Sequence, residues 1–303
     1  RMPSPTRMVD WRAAADPDDL REYDRFGPWI DAVTTLSDMP RRFRPWYSEL
    51  SGASHLIKVP RNIDRAAARP GMDLYSVVLA VFPDWLCLLR LDVGGVTRTD
   101  LPAEQVVATN VHTNLLIGRW SLLLADGSSI DLEYNTVSQE RIAEVDRYLR
   151  RRPATDESPA CLLPAVRVSD HYFTTVLAGL AAATDQPIQA IHVEERGRPC
   201  RDDRLHRRLS TGLMLLEAPS ELVIVNRGSA SRSRFRWANY ASNVLTIPFE
   251  TMTSFSVVAP TDDPPGQFHR LVVGCGNQVI SQPCLVRPDA AATLLAARGV
   301  RPA

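Results

Sequence analysis

Leu101-Pro102-Ala103-Glu104-Gln105-Val106 returns in the second half of the chain as Ile247-Pro248-Phe249-Glu250-Thr251-Met252, and each copy leads into a further run of strand character. The same order of features flanks both. Upstream, Leu56-Ile57-Lys58-Val59, an arginine-bearing segment and the Val- and Leu-rich run 75–82 close at Pro83. The second copy runs through 188–193, then Arg196, Arg198 and Arg201, then 213–216, and closes at Pro219. After each proline a turn gives way to an apolar run, 85–89 and 222–225, as a turn followed by a strand would read. Pro102 and Pro248 are expected to open strands, where no ladder donor is needed. Downstream, Leu122-Leu123-Leu124-Ala125-Asp126-Gly127 precedes 130–134, and Leu271-Val272-Val273-Gly274-Cys275-Gly276 precedes 279–285. Asp-Gly between apolar runs is a hairpin signal.

Each copy ends in a helix. Thr136 stands three residues ahead of Gln139, a capping-box spacing, with Ile142, Val145 and Leu149 on one face and arginines in the last turn. The second helix has Pro288 in its first turn, Leu294 and Leu295 inside, and Gly299 as its C-terminal stop. A further helix is expected over 169–183, with 43–50 as its shorter counterpart. The expected organisation is an N-terminal arm over 1–50, a first unit over 51–152, a proline-bearing linker over 153–164 and a second unit over 165–303. Trp11, Tyr23, Phe26, Trp29, Phe43, Trp46 and Tyr47 crowd the arm. It reads as a pad over exposed core, or alternatively as a partner-binding or autoinhibitory arm.

The fold class expected is α+β, mainly β. Strand, turn, strand, L-P-x-E strand, glycine hairpin and closing helix, twice over, resembles bacterial pleckstrin-homology-like domains in tandem, over roughly 55–150 and 185–300. That resemblance implies two antiparallel barrels or bent sheets, each closed by a C-terminal helix. It also implies binding of lipid head groups, peptides or other domains rather than catalysis. Fold alone does not assign function. Phosphoinositide binders of that family carry a basic cluster at the turn between their first two strands. The turns Pro83-Asp84 and Pro219-Ser220-Glu221, assigned to that place, hold acid and no base, which disfavours a head group bearing several phosphates.

Thirty-five basic residues balance thirty-five acidic ones, so no global field draws in nucleic acid or an anionic membrane, and nucleic acid is not an expected partner. Lys58 is the only lysine; the arginine excess fits a GC-rich bacterial genome and is not itself a sign of phosphate recognition. The five cysteines, Cys87, Cys161, Cys200, Cys275 and Cys284, form no C-x-x-C pair, so they read as reduced and mostly buried. No run reaches the roughly eighteen apolar residues of a membrane span, and a cytoplasmic location is expected.

The best electropositive candidate is Arg232, Arg234 and Arg236, which an extended backbone would align on one face, with Phe235 and Trp237 on the other. Three guanidinium groups could hold an anionic ligand; the bland alternative is a solvated hairpin with an aromatic core face. The run 196–208 is basic but interrupted by Asp202 and Asp203, with Glu194 and Glu195 just ahead of it. His192 and Glu194, followed by Cys200, offer three ligand types but no completed tetrahedral set, so no metal is expected. Asp131 and Glu133 share a strand face, yet the lysine a nuclease would want is absent nearby. No G-x-S-x-G elbow or P-loop is present. The expected function is therefore a non-enzymatic binding or scaffold protein, without cofactor, presenting its two units to a protein or peptide. The alternatives are anionic-ligand or membrane-surface binding through the arginine strip, and an unrecognised hydrolase or nuclease.

Overall fold

The computed structural model describes residues 15–150, 161–183, 187–194, 212–227, 241–260 and 268–303. Helix α1 (Pro17–Arg25), strand β1 (Asp31–Ala32), a 3-10 turn over Arg41–Trp46 and helix α2 (Tyr47–Leu50) come first. Then follow β2 (His55–Pro60), β3 (Tyr75–Val81), β4 (Trp85–Asp92), β5 (Gly95–Pro102), β6 (Val106–Asn114), β7 (Ile117–Leu124), β8 (Ser129–Asn135) and helix α3 (Gln139–Arg150). Helix α4 (His171–Ala183) leads into β9 (Gln189–Glu194), β10 (Leu213–Glu217), β11 (Glu221–Arg227), β12 (Ser242–Pro248), β13 (Ser254–Val258), β14 (His269–Cys275), β15 (Gln278–Cys284), helix α5 (Asp289–Ala297) and β16 (Arg301–Pro302). Strands β2–β8 with α3, and β9–β15 with α5, are the same succession of elements.

The chain is mainly β, and among the described residues every strand pair of assigned register is antiparallel apart from β13 with β16. The strand orders are β1-β2-β3-β4-β5, β8-β7-β6-β12-β11-β10-β9 and β15-β14-β13-β16. None of these sheets closes on itself, so the expected barrels are not formed among the described residues. The reason lies in β6. It does not pair with β5; its second ladder runs to β12, with Thr113 opposite Ser242, Val111 opposite Val244 and Thr109 opposite Thr246. The compact units divide accordingly, into Arg1–Glu104 with Tyr134–Leu149 and Gln105–Glu133 with Arg150–Ala303. Opposed antiparallel residues lie within disulfide reach. A Val111→Cys, Val244→Cys chain is therefore expected to form an intramolecular cross-link on mild oxidation, seen as a mobility shift after thiol blocking, while either single variant is not.

In the second unit, side chains alternate with the period of a strand. Leu213, Leu215, Leu222 and Ile224 enter one core with Leu271, Val273, Ile280, Leu294 and Leu295; Met214, Leu216, Val223 and Val225 enter another with Phe173 of α4. Both faces of β10 and β11 are covered, which is why their sequences are unbroken apolar runs rather than alternating ones. In the first unit, Phe26, Val33, Met39, Phe43 and Leu50 share one cluster with Leu56, Tyr75, Val78, Ala80, Cys87 and Leu89 of β2–β4. Phe26 meets Tyr75 edge-on at 6.0 Å. The described part of the N-terminal segment is thus core. Its turn at Thr34–Asp38 is fastened by Asp38, whose carboxylate accepts from Thr34 Oγ1 (2.8 Å), Thr35 N (3.0 Å) and Arg25 Nη1 (2.6 Å). Burial pushes that carboxyl up, and the Thr35 and Thr34 donors outweigh it, leaving a pKa of about 2.

Three local expectations need correction. Pro102 and Pro248 end β5 and β12 instead of opening the next strands, and single 3-10 turns at Ala103–Gln105 and Phe249–Thr251 follow them. Thr136 opens a 3-10 turn over Thr136–Ser138 that runs into α3, and the N-cap of that turn is Asn135. Asn135 Oδ1 accepts from Val137 N at 3.1 Å, and Gln139 Oε1 is taken by the Tyr134 hydroxyl at 2.6 Å, so Gln139 is engaged elsewhere than a capping box needs. Pro288 is the N-cap of α5 and not part of its first turn, while Gly299 (φ 79°) stops the helix in the left-handed conformation as expected, its amide donating to Ala296 O at 3.0 Å.

Candidate functional site

Arg232, Arg234 and Arg236 lie outside the described residues, as do Cys200 and the run 196–208. The stems that carry the 228–240 segment are described. Arg227, the last residue of β11, stacks over the Tyr172 ring at 4.4 Å and pairs with Asp170 at 3.1 Å. The Tyr172 hydroxyl meets Ser242 Oγ at the start of β12. The planar guanidinium is thereby held on an aromatic face.

The described catalytic and metal candidates each have partners within the chain. His192 Nε2 contacts Glu194 Oε1 at 3.0 Å, and the Glu194 carboxylate also accepts from the Leu285 and Val286 amides, both at 2.9 Å. Burial works to raise its pKa; the His192 contact and the two amides win, holding the carboxyl below its usual range. A carboxylate already filled by three donors has little left for a metal, and no cluster of three or more metal-ligating side chains occurs among the described residues. Asp131 Oδ1 accepts from Ser121 Oγ at 2.5 Å, and Glu133 pairs with Arg119 at 2.8 Å. Lys58 Nζ donates to Asp38 O at 2.9 Å and sits 4.8 Å from the Tyr75 ring centre, within the first unit. Burial pushes the Cys87 and Cys284 thiols up to about 12 and Cys275 to about 11, so none of these offers a thiolate nucleophile near neutral pH.

The turns at Pro83-Asp84 and Pro219-Ser220 join the second and third strands of each set, β3 to β4 and β10 to β11, not the first and second. β1, a two-residue strand, does not belong to the repeated set. The loop between the first and second strands of the first set is 61–74; the corresponding residues of the second set, 195–211, lie outside the described residues. In the former, Arg61 donates to Asp73 O, Arg65 to Tyr23 O while stacking on the Tyr23 ring at 4.1 Å, and Arg69 to Ala66 O and Ala68 O. Arg61 and Arg69 thus tie the loop to itself, and Arg65 ties it to α1.

Two surfaces stand out among the described residues. The first is the outer side of β5, which pairs with β4 along its whole length and with no described strand on its other side. Of its eight residues only Leu101 is buried. Arg98 and Asp100, its two charges, neutralise each other at 2.9 Å, and Arg98 also binds Glu49 at 2.6 Å. Lysine and a β-bulge, the usual protections of an edge strand, are absent, and proline appears only at its last position.

The second is one rim of the seven-stranded sheet. The β6–β7 hairpin turns there through Leu115 and Leu116, beside Thr113 opposite Ser242, Arg227 opposite Ser242, and Leu213 opposite both Asn226 and Glu194. Leu115, Leu116 and Ile117 are 67%, 64% and 65% exposed. Leu115 has φ 54°, a left-handed conformation that costs a leucine about 1–2 kcal/mol and that glycine or asparagine would adopt readily. Sequence reasoning missed this tip; the signal was a two-residue turn between strands containing neither residue. No family model and no curated protein matches the chain.

Proposed function

We infer that the chain is a non-enzymatic binding module that takes up an extended segment of a protein partner along the outer edge of β5. The carrying observation is that edge: eight residues long, exposed, internally charge-neutral and unpaired among the described residues. Added strands gain main-chain hydrogen bonds on such an edge, and alternating side chains supply selectivity. The doubled succession of seven strands and a helix supports the pleckstrin-homology-like reading, and the engagement of His192, Glu194, Asp131, Glu133 and the buried cysteines in structural contacts supports binding over catalysis.

Selection of a random peptide library on the full chain tests this. Adjacent residues in a strand direct their N–H groups to opposite sides, so of Arg98→Pro and Thr99→Pro one removes a donor to β4 and the other removes a donor to the added strand. The selected peptide should be lost by the variant that stays folded. A library yielding no binder, or a folded proline variant at each position that still binds, would contradict the reading.

A further inference from the structure

We propose that the outer edge of β5 pairs with β5 of a second copy of this chain, antiparallel about a two-fold axis at Thr99. The inference rests on reading β5 as an edge open to strand addition, and it names one strand that this edge takes. Ala103 N donates to Asp84 O at 2.9 Å across the β4–β5 connection, and the ladder runs in continuous register from Trp85 opposite Pro102 to Asp92 opposite Gly95. Donation alternates along an antiparallel strand, so the amides of Leu101, Thr99 and Thr97 are turned to β4, and those of Val96, Arg98 and Asp100 are turned outward. A second β5 can bond to these outward groups only in registers that set Val96, Arg98, Asp100 and Pro102 of one copy opposite members of the same set in the other.

Charge selects among those registers. Arg98 and Asp100 are the only charged residues of β5 and share one face of it. With the axis at Arg98 two guanidinium groups would stand opposite each other, and with the axis at Asp100 two carboxylates; like charges directly opposite are destabilising. With the axis at Thr99, Arg98 lies opposite Asp100 of the second copy and Asp100 opposite its Arg98. Val96 then lies opposite Pro102, which ends the ladder because it has no N–H to give. The side chains are placed for this exchange: Arg98 uses Nε on Asp100 and Nη1 on Glu49, which leaves Nη2, and Asp100 is about half exposed. Other edges lack the pattern, since β8 carries two acids, Asp131 and Glu133, and β15 carries no charge. An isologous pairing of this kind, one strand from each copy, buries less than the roughly 1,200 Å² of a stable interface. It is therefore weak: the chain is monomeric at about 10 µM, where β5 stays open to a captured segment, and dimeric toward about 1 mM.

Sedimentation equilibrium of the full chain between about 10 µM and about 1 mM tests the proposal. The wild-type chain should pass from monomer to dimer, and an excess of a peptide selected on β5 should return it to monomer. Arg98→Asp alone and Asp100→Arg alone each set like charges opposite one another and should weaken dimerisation about tenfold or more. An equimolar mixture of the two variants should dimerise again, because every opposed pair is then of opposite sign, and that recovery also shows both to be folded. Independently of the charges, Thr99→Cys should give a disulfide-linked dimer on mild oxidation and Thr97→Cys should not, since only position 99 meets itself across the axis. A chain still monomeric at about 1 mM, single variants that dimerise as the wild type does, or no cross-link through position 99 overturns self-pairing. If a selected peptide nonetheless binds at β5, capture at the edge stands and only its pairing with a second copy falls; failure of both places the error in the reading of the edge itself.

Discussion

Replacing Glu217 with alanine is expected to destabilise the second unit by about 3–5 kcal/mol. Glu217 is fully buried at the end of β10 and its carboxylate accepts from the Leu162 amide (2.7 Å), the Leu163 amide (3.1 Å) and Arg298 Nη2 (3.1 Å). Its removal strands a guanidinium that is itself almost wholly buried, together with two amides, and the desolvation cost of those groups then goes unanswered. The guanidinium's stacking on Phe249 at 4.9 Å does not replace a counter-charge. A fall in melting temperature of roughly 10 °C should be seen, with about half that for Glu217→Gln, which keeps shape and one acceptor. Arg298→Leu added to Glu217→Ala should recover part of the loss. A loss under about 1 kcal/mol for the alanine variant would mean that the carboxylate is not the tie it is drawn as.

Gly276→Ala should cost about 2–4 kcal/mol by thermal or urea unfolding. Gly276 turns the β14–β15 hairpin at φ 60°, and a Cβ there would stand 2.7 Å from the carbonyl oxygen of Ala125. That oxygen accepts from the Asn277 amide at 2.7 Å, so the alanine would both strain the turn and push apart the hydrogen bond joining it to the β7–β8 turn. Gly94→Ala, in another hairpin and facing open space, should change stability by less than about 1 kcal/mol. Equal effects at the two glycines would remove the close approach from the account.

What could be read from the residues was local. The Asp126-Gly127 turn, the prolines at 83 and 219 and the glycine at 299 act within a few positions of themselves, and hairpins and helix ends appeared where they pointed. The apolar runs at 213–216 and 222–225 were legible as strands, although not that both faces are covered, since that depends on α4 and α5 arriving from distant sequence. Pairing of β6 with β12 was illegible for a similar reason: every strand in a tandem repeat is a chemically similar partner, and only register over many residues decides between the two copies. The helical run starts one residue earlier than the spacing suggested, with Asn135 as the cap of its opening 3-10 turn, because Asn and Thr are both good caps one residue apart, and Gln139 was drawn away by Tyr134. Of the candidate site, the arginine strip expected from period-two alternation lies outside the described residues. The open edge of β5 was not legible, because an edge is a property of what fails to pair.

Amide hydrogen exchange of the full chain with and without a selected peptide addresses the central reading most directly. Every second amide between Val96 and Leu101, those directed away from β4, should exchange quickly in the unliganded chain and become protected in the complex, with the β8 and β15 edges unchanged. Unaltered exchange along β5, or protection gained at a different edge, would contradict strand addition and with it the function assigned to this chain.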